Sequence, residues 1–315
     1  MSRYLAVRLL AAIPTLIIVS VGIFTLVRLI PGSTIDLALA GNPNVEDRAA
    51  FERQLGLDKP AIQQYFIWMG DLLRGDLGNS LTTRRSIGDD LRERFPRTIQ
   101  LGLMAMVLGI VLSLAMGVIA AVKAGGVLDN AIRTMGVLFI SIPYFFVALL
   151  VVAFPARYWG WSPPLVFTPF MENPWENVKH FFLPALILGV FTAGGVQLRL
   201  TRAMMLEVLR QDYMRTARAK GLAQRAIVLR HGLRNALIPL VTLYGLQIPI
   251  ALGGTVIMES IFNIPGVGSY VTGAVANRDY VALQSTVIVF AVIVFLVNFL
   301  VDMLYARLDP RVSVN

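Results

Sequence analysis

The stretch of sequence that decides the fold runs from Ile99 to Val122 and reads IQLGLMAMVLGIVLSLAMGVIAAV. It contains no charged residue. The hydrocarbon core of a bilayer, about 30 Å thick, is crossed by about 20 apolar residues of α-helix. A helix is required because lipid offers no hydrogen-bonding partner to open backbone groups. The stretch therefore predicts a transmembrane helix.

Five further stretches have the same apolar character, so we expect six transmembrane helices in an all-α integral membrane protein. They are Leu9–Ile30, Ile132–Phe154, Leu183–Leu198, Leu237–Ser260 and Val281–Leu304. Prolines and paired glycines within them are candidate points of bending or close helix packing. These are Pro143, Pro239, Pro249, Gly194-Gly195 and Gly253-Gly254.

The composition excludes several classes of soluble protein. Of the 315 residues, 56% are hydrophobic and 15% are charged, and the net charge is +9. Ordinary globular domains carry roughly a quarter of charged residues. There is no cysteine and there are two histidines, His180 and His231. A disulfide framework and a thiolate nucleophile are therefore excluded, and we expect neither a catalytic residue nor a metal site.

The first apolar stretch resembles a signal peptide, since Arg3 and Arg8 precede it. It is too long for the apolar part of a signal peptide, and no small-residue cleavage site follows it. We therefore interpret it as an uncleaved anchor.

The cations set the expected orientation. The segment 199–236 holds nine Lys or Arg residues against Glu207 and Asp212. Short loops rich in Lys and Arg stay in the cytoplasm. This rule places the segment, the turn Lys123–Arg133 and both chain termini inside. The expected organisation is a cytoplasmic N-terminus with the first helix (1–30), an extracytoplasmic insertion between helices 1 and 2 (31–98), a five-helix core (99–306) containing the loop 199–236, and a cytoplasmic tail (307–315).

The insertion 31–98 mixes acids and bases, has amphipathic patterning and is punctuated by glycines such as Gly56, Gly75 and Gly78. We interpret it as a lid or docking surface, too small for an enzyme core. The alternative is a passive loop packed on the helices.

The loop 199–236 predicts two short amphipathic helices joined at Gly221. Apolar residues from Met204 to Ala217 recur at helical spacing, and a second run extends from Ala226 to Leu237. Lys220 before the glycine is typical of a helix C-terminus. Three interpretations compete: a helix pair lying on anionic lipid, a nucleic-acid patch, and a docking element for a cytoplasmic protein. Tyr213 is the one aromatic residue among these arginines, which disfavours nucleic acid.

The chain has no visible energy source of its own. A P-loop needs the sequence Gly-Lys-Ser/Thr, and none of the four lysines, Lys59, Lys123, Lys179 and Lys220, follows a glycine or precedes Ser or Thr. Ionisable groups in the predicted spans, Arg28, Glu259 and Asp302, lie close to span ends. No proton relay is visible. The chain is therefore a passive channel or receptor, or another subunit supplies its energy.

Several motifs in order resemble the permease subunits of ABC importers, specifically the B-type subunit of the dipeptide/oligopeptide/nickel branch. The resemblance covers essentially the whole chain. It rests most strongly on the runs Asp212–Leu222 (DYMRTARAKGL) and His231–Pro239 (HGLRNALIP). Further matching pieces are Ile30-Pro31-Gly32, Leu55–Pro60 (LGLDKP), Gly75–Ser80 (GDLGNS), Glu259–Gly268 (ESIFNIPGVG), Arg278-Asp279-Tyr280, Leu304-Tyr305 and Asp309-Pro310-Arg311.

Two departures from the family pattern are visible. Thr216-Ala217-Arg218 stands where the general importer motif begins Glu-Ala-Ala, which is the form of the peptide branch. Ser33-Thr34 replaces the Asp-Pro that usually follows Pro-Gly after the first span.

The resemblance implies a type I importer permease fold in the bacterial inner membrane, with a C-type permease, two ATPases and an extracytoplasmic binding protein as partners. It implies no cofactor in this chain, because ATP and Mg²⁺ belong to the ATPases. Membrane lipid is the remaining partner, and nucleic acid is not expected. The implied ATPase-coupling residues are Asp212, Tyr213, Arg215, Thr216, Ala217, Arg218, Ala219, Lys220, Gly221, His231, Arg234 and Asn235. Ala217, Ala219 and Gly221 are small enough for a short helix to lie deep against another protein.

Two further sets of candidate residues complete the sequence-based prediction. Polar residues within apolar spans are candidates for the translocation path or for hydrogen bonds between helices: Ser141, Tyr144, Thr242, Tyr244, Gln247 and Asn298. The resembling motifs Gly75–Ser80 and Glu259–Gly268 give an extracytoplasmic gate or lid: Gly75, Asp76, Gly78, Glu259, Phe262, Pro265 and Gly266. The expected cargo is di- or oligopeptides. Nickel chelates, glutathione and oligosaccharides are alternatives, and an ATPase-independent channel or receptor is the alternative from another class.

Overall fold

The structure is a computed structural model that describes residues 2–29, 58–245 and 247–308. Residues 31–57 of the predicted lid, the tail 309–315 and the motifs Ile30-Pro31-Gly32, Leu55-Gly56-Leu57 and Asp309-Pro310-Arg311 lie outside the described residues. The described chain is helical, with one antiparallel bridge between Asn79 and Ser86.

The twelve α-helices of the described residues follow the apolar pattern of the sequence. They are α1 (Ser2–Leu29), α2 (Ala61–Leu73), α3 (Ile87–Val122), α4 (Val127–Ser141), α5 (Tyr144–Trp159), α6 (Pro174–Ala193), α7 (Val196–Leu209), α8 (Asp212–Ala219), α9 (Arg234–Gly245), α10 (Ile248–Ile261), α11 (Val267–Ala276) and α12 (Tyr280–Leu308). A single helical turn, Gln224–Ala226, and a π-helix, Ile227–Leu233, stand between α8 and α9.

Three described helices are long and apolar enough to cross a membrane, and up to six spans result if each bent pair counts as one. The long helices carry spans at Leu10–Leu29, Ile87–Val122 and Tyr280–Met303. The bent pairs are Val127–Ser141 with Tyr144–Trp159 (92°), Pro174–Thr192 with Val196–Leu209 (58°), and Gln224–Leu237 with Pro239–Gly245 (50°).

The third, fourth and fifth stretches each consist of two helices rather than one, and the third and fourth bend at Pro143 and at Gly194-Gly195, two of the candidate bending points. Pro143 lies immediately before α5, where its ring removes a backbone donor and ends α4. The fourth stretch bends between α6 and α7, at Gly194-Gly195. The fifth divides into α9 and α10, and Pro249 lies in the first turn of α10.

The chain divides into two compact units, residues 1–97 with 265–315 and residues 98–264. In the first unit, the core includes Val27 of α1, Ile87 and Leu91 of α3, and Val267 and Leu283. This grouping places 265–306 with the N-terminal part rather than with the other predicted core helices. The four-part division by membrane side remains a prediction.

The second unit has a core built from α3, α5, α6 and α10. Leu101, Phe181, Leu188 and Met258 are fully buried in it. Large apolar side chains are exposed on the outer faces of the helices, for example Leu149 on α5. Many exposed apolar side chains of this kind are unfavourable in water and suit lipid.

Candidate functional site

The predicted coupling segment begins as a continuation of the fourth apolar stretch. Helix α7 extends to Leu209, the chain turns at Arg210 and Gln211, and α8 follows as a separate eight-residue helix. Gly221 has a φ of +75°, the left-handed conformation that closes a helix and that glycine adopts without steric cost. The predicted break at this glycine is therefore present.

One face of α8 is held against the rest of the second unit. Met214 and Ala217 are buried and pack with Ile227 of the π-helix, next to Leu209. Ala217 therefore differs from the expectation of a contact for another protein, because its methyl group packs within this chain. Of the small residues predicted for docking, Ala219 and Gly221 are exposed.

A hydrogen-bonded pair joins the two halves of the segment. The Asn235 amide donates to the Tyr213 hydroxyl at 3.0 Å and to the His231 carbonyl at 2.9 Å. Three of the predicted coupling residues are thus brought together, and two of them, Tyr213 and Asn235, are 22 positions apart in the sequence. The remaining members, Asp212, Arg215, Thr216, Arg218, Lys220 and Arg234, are exposed.

The second predicted amphipathic helix of the segment takes a different form. Residues 224–226 form one turn, and Ile227–Leu233 form a π-helix that continues into α9. Gly232 of this π-helix packs closely against Met205. A Cβ atom placed at Gly232 would lie 3.3 Å from the Cε atom of Met205. Short π-helical segments are rare and occur frequently at functional sites. The helical periodicity of 3.6 residues in the sequence does not distinguish a π-helix from an α-helix.

A buried ion pair fixes the base of this segment and was not predicted from the sequence. Asp129, in the first turn of α4, is fully buried and accepts two hydrogen bonds from Arg202 of α7, each of 2.7 Å. The backbone N–H of Gly125 donates to the same carboxylate at 2.8 Å. Arg202 is one of the nine cations of the segment 199–236, and a pairing across 73 positions leaves no local signal in the sequence.

The candidate path residues that the structure describes have different surroundings within their own units. Tyr244 is buried, and its hydroxyl lies 3.1 Å from Thr201 Oγ1 and 3.4 Å from Ser113 Oγ, which is the interhelical alternative. Ser141 donates to the Val137 carbonyl of its own helix. Their assignment to a path stays a prediction. Tyr144 and Gln247 are half-buried, Asn298 is exposed, and the side chain of Thr242 lies outside the described residues.

Two sequence motifs meet in the first unit. Asp279 Oδ2 accepts hydrogen bonds from Ser80 Oγ at 2.6 Å, from Thr82 Oγ1 at 2.9 Å and from Thr82 N at 3.2 Å. Its other oxygen accepts from Ala282 N, at the start of α12. The carboxylate thus caps a helix and holds the loop after Gly75–Ser80 across 199 positions. We call Ser80, Thr82 and Asp279 the loop clamp.

A cavity of about 190 Å³ lies beside the loop clamp and is lined by Asp90, Arg94 and Tyr270, among others. Asp90 is almost fully buried and lies 3.3 Å from an Arg85 guanidinium nitrogen. Burial and the charge of Asp90 raise the pKa of Tyr270 well above its usual range. The phenol therefore stays protonated at any physiological pH.

The predicted lid and gate residues fall into separate units. In the first unit, Asp76 accepts a hydrogen bond from Gly78 N at 2.9 Å, Gly75 and Gly78 have positive φ, and the Pro265 carbonyl accepts one from Arg97 at 3.0 Å. Gly266 immediately precedes α11.

In the second unit, Glu259 and Phe262 are buried, and the Phe262 carbonyl accepts a hydrogen bond from His180 Nε2 at 2.8 Å. Within the described ranges, no three His, Asp or Glu residues are grouped as metal ligands.

Removing the loop clamp gives a first testable prediction. Asp279→Ala deletes the acceptor for Ser80 and Thr82, so the loop is released and its backbone at the exposed residues Arg84 and Arg85 can enter the active site of trypsin. We expect cleavage there to accelerate about tenfold, because a lost charged hydrogen-bond acceptor is worth roughly 1.5–3 kcal/mol. Limited proteolysis of the purified protein measures this rate.

The matched control for the loop clamp is Asp71→Ala, which removes the same charge from an exposed ion pair with Arg74 in the same unit. The cleavage rate of this variant should equal that of the wild type. An unchanged rate in Asp279→Ala would mean that the loop is held by other contacts.

Two family models match the chain and together cover nearly all of it. Residues 113–314 match the binding-protein-dependent transport system inner membrane component, and residues 1–102 match the N-terminal membrane component of the same transport systems.

Curated relatives match over 99% of both chains. The di/tripeptide transport system permease protein DppB of Pseudomonas aeruginosa is 39% identical, and the glutathione transport system permease proteins GsiC of Escherichia coli and Pectobacterium atrosepticum are each 38% identical.

Among solved structures, an inward-facing form of the MetNI methionine ABC transporter matches with a TM-score of 0.54 and 20% identity. The match covers 70% of this chain and 96% of the other. At this identity the likeness concerns the fold.

Proposed function

The chain belongs to the family of binding-protein-dependent transport system inner membrane components, and from this membership we propose that it moves di- or oligopeptides across the bacterial inner membrane by alternating access. Its termini and the segment 199–236 are cytoplasmic. Two separate ATPase subunits bind ATP and Mg²⁺ and supply the energy for transport by hydrolysing ATP. A C-type permease completes the pathway, and an extracytoplasmic binding protein delivers the cargo.

The exposed outer face of α8 is the observation that carries this proposal. Met214 and Ala217 hold the helix to its own unit, while Asp212, Thr216 and Ala219 are exposed on the opposite side. A short helix with a fixed inner face and a small, polar outer face fits a groove on another protein. Motion of that protein is then transmitted to α7, which precedes α8 in the chain, and through the π-helix to α9.

The breaks in the predicted spans fit the required movement. Alternating access needs helices that bend or tilt about defined points. The turn at Pro143 and the bend at Gly194-Gly195 supply such points in the second unit. Arg202 and Asp129 link α7 to α4, so the coupling segment is joined rigidly to a bent helix pair.

Ala219→Trp tests the ATPase contact. The indole would fill the outer face of α8 without disturbing its buried face, so we expect at least a tenfold loss of ATPase subunits that co-purify with the chain. ATP-dependent uptake in vesicles should fall in parallel. Pull-down of the assembled complex followed by quantification of the subunits measures the first effect.

Ala203→Trp is the matched control, because Ala203 is exposed on α7 rather than on α8. This variant should retain its ATPases.

Substitutions at Gly221 separate the effect of backbone conformation from that of side-chain size, since no atom lies within 4 Å of a Cβ placed there. Asparagine tolerates a positive φ, so Gly221→Asn should keep the coupling of transport to ATP hydrolysis. Valine does not, so Gly221→Val should lose this coupling. Normal assembly of Ala219→Trp would reject the docking role of α8 and favour an ATPase-independent channel or receptor.

The cargo has one specific alternative. Relatives named for glutathione transport are as similar to this chain as the relative named for di/tripeptide transport. Uptake of labelled dipeptides, oligopeptides and glutathione, measured with the cognate binding protein, separates the two. Uptake of glutathione alone would replace the peptide cargo and leave the permease function in place.

A further inference from the structure

A cavity in the coupling segment has a strongly positive wall. It encloses about 320 Å³ and lies between the end of α3, the end of α7 and α8. Arg210, Arg215 and Arg218 line it together with Gln224. We call this the arginine cavity. A nearby cavity also includes Arg210, but Glu207 and Asp212 line that one and balance its charge.

The arginine cavity has no carboxylate in its lining. Within the described residues, neither Arg210 nor Arg218 forms an ion pair, and Arg218 donates to the Leu209 carbonyl at 3.3 Å. Arg215 lies 3.5 Å from an Asp212 carboxylate oxygen, in a pair exposed on both sides. Exposed ion pairs of this type contribute little stabilising free energy. Three guanidinium groups around one small volume repel each other unless an anion neutralises them.

The other wall of the cavity is apolar. Leu206, Leu209 and Val122 line it, and Val122 is the last residue of the uncharged stretch that begins at Ile99. Lys123 follows directly. Since the apolar part of a spanning helix ends where the hydrocarbon ends, the cavity lies at the depth of lipid headgroups. An anion bound there would have charged guanidinium groups on one side and apolar side chains on the other.

We propose that the arginine cavity binds the phosphate headgroup of an anionic phospholipid. Guanidinium groups form paired hydrogen bonds with phosphate oxygens, and Leu206 and Leu209 accommodate the first part of the lipid tail. The site goes beyond the proposed transport function. It places a lipid against the flank of α8, while Thr216 and Ala219 on the outer face remain available for the ATPase.

Binding of lipid to the purified full-length chain in detergent tests the proposal. Native mass spectrometry during titration with phosphatidylglycerol or phosphatidylcholine measures the affinity for each. We expect clear preference for phosphatidylglycerol. We expect the variant R210Q/R215Q/R218Q to bind it more weakly by a factor of the order of 100, from about 1 kcal/mol per basic residue near an anionic surface.

The matched control, R92Q/R225Q/R230Q, removes the same charge from exposed arginines outside the cavity. It should bind phosphatidylglycerol like the wild type. Equal weakening in both variants would overturn the site, since it would show a general effect of charge. Complete displacement by millimolar inorganic phosphate, without preference between lipids, would also overturn it and indicate a free phosphate site.

The proposed lipid site and the proposed ATPase contact can be rejected independently of each other. Ala219→Trp should keep phosphatidylglycerol binding even where it loses the ATPases. R210Q/R215Q/R218Q could instead bind phosphatidylglycerol like the wild type in the titration and lose the ATPases in a pull-down from lipid-free detergent. The arginines would then belong to the protein interface, and the lipid proposal would be wrong.

Discussion

Gly189→Ala is expected to destabilise the protein by about 3 kcal/mol, although it adds one methyl group. Helix α6 passes α3 so closely at this position that the new Cβ atom would lie 2.2 Å from the Ala105 carbonyl oxygen and 2.9 Å from the Gly109 nitrogen. Both obstacles are backbone atoms, so no side-chain rotation relieves the contact. The two helices must separate, and the packing of Leu101 and Leu188 is lost with them.

The matched control for Gly189→Ala is Gly253→Ala in α10, where no atom lies within 4 Å of the added Cβ. Alanine is a better helix former than glycine by about 1 kcal/mol, so this variant should be neutral or slightly more stable. Thermal unfolding in detergent measures both, and we expect a decrease of roughly 10 °C for Gly189→Ala. Equal melting temperatures would mean that α3 and α6 are farther apart than the structure places them.

Arg202→Met is expected to produce the second largest effect, a decrease of the melting temperature by roughly 5–10 °C. The substitution keeps much of the side-chain volume and removes the partner of the buried Asp129 carboxylate. The Gly125 N–H then remains as its one hydrogen-bond donor among those described. A buried carboxylate without its counter-ion is strongly unfavourable.

A second substitution separates charge from packing at this pair. The double variant Asp129→Leu/Arg202→Met removes the stranded carboxylate and should recover much of the lost stability, because apolar replacement of a buried pair is often nearly neutral. Arg215→Met, which breaks an exposed pair with Asp212, should have almost no effect. If the double variant is as unstable as Arg202→Met, the loss comes from packing of the arginine stem.

Much of the fold was predictable because membrane helices have a strong local signal. An uncharged apolar run such as Ile99–Val122 predicts a helix from its own residues, and the structure confirms that helix within a longer one. Gly221 was predictable for a similar reason, because a glycine after a lysine at the end of an amphipathic run is typical of a helix end. The ordered motifs indicate the family from the sequence alone.

The candidate site was predictable only in part. The exposed outer face of α8 follows from the periodicity of its residues. The inward position of Ala217, the π-helix at Ile227–Leu233 and the hydrogen bond of Asn235 to Tyr213 do not, because each depends on a neighbour in a different part of the chain. The same holds for the right-angle turn at Pro143, since proline is equally compatible with a mild kink.

The sequence by itself determined that this protein has apolar helices of membrane length, a basic segment between two of them, and no nucleotide-binding motif of its own. These features depend on local composition and on spacing within one turn of helix. Only the tertiary structure decided that Asp129 pairs with Arg202, that Asp279 holds the loop at Ser80, and that three arginines enclose one cavity. Such pairings join residues far apart in the chain, and the free energy that selects them arises only after the helices have packed.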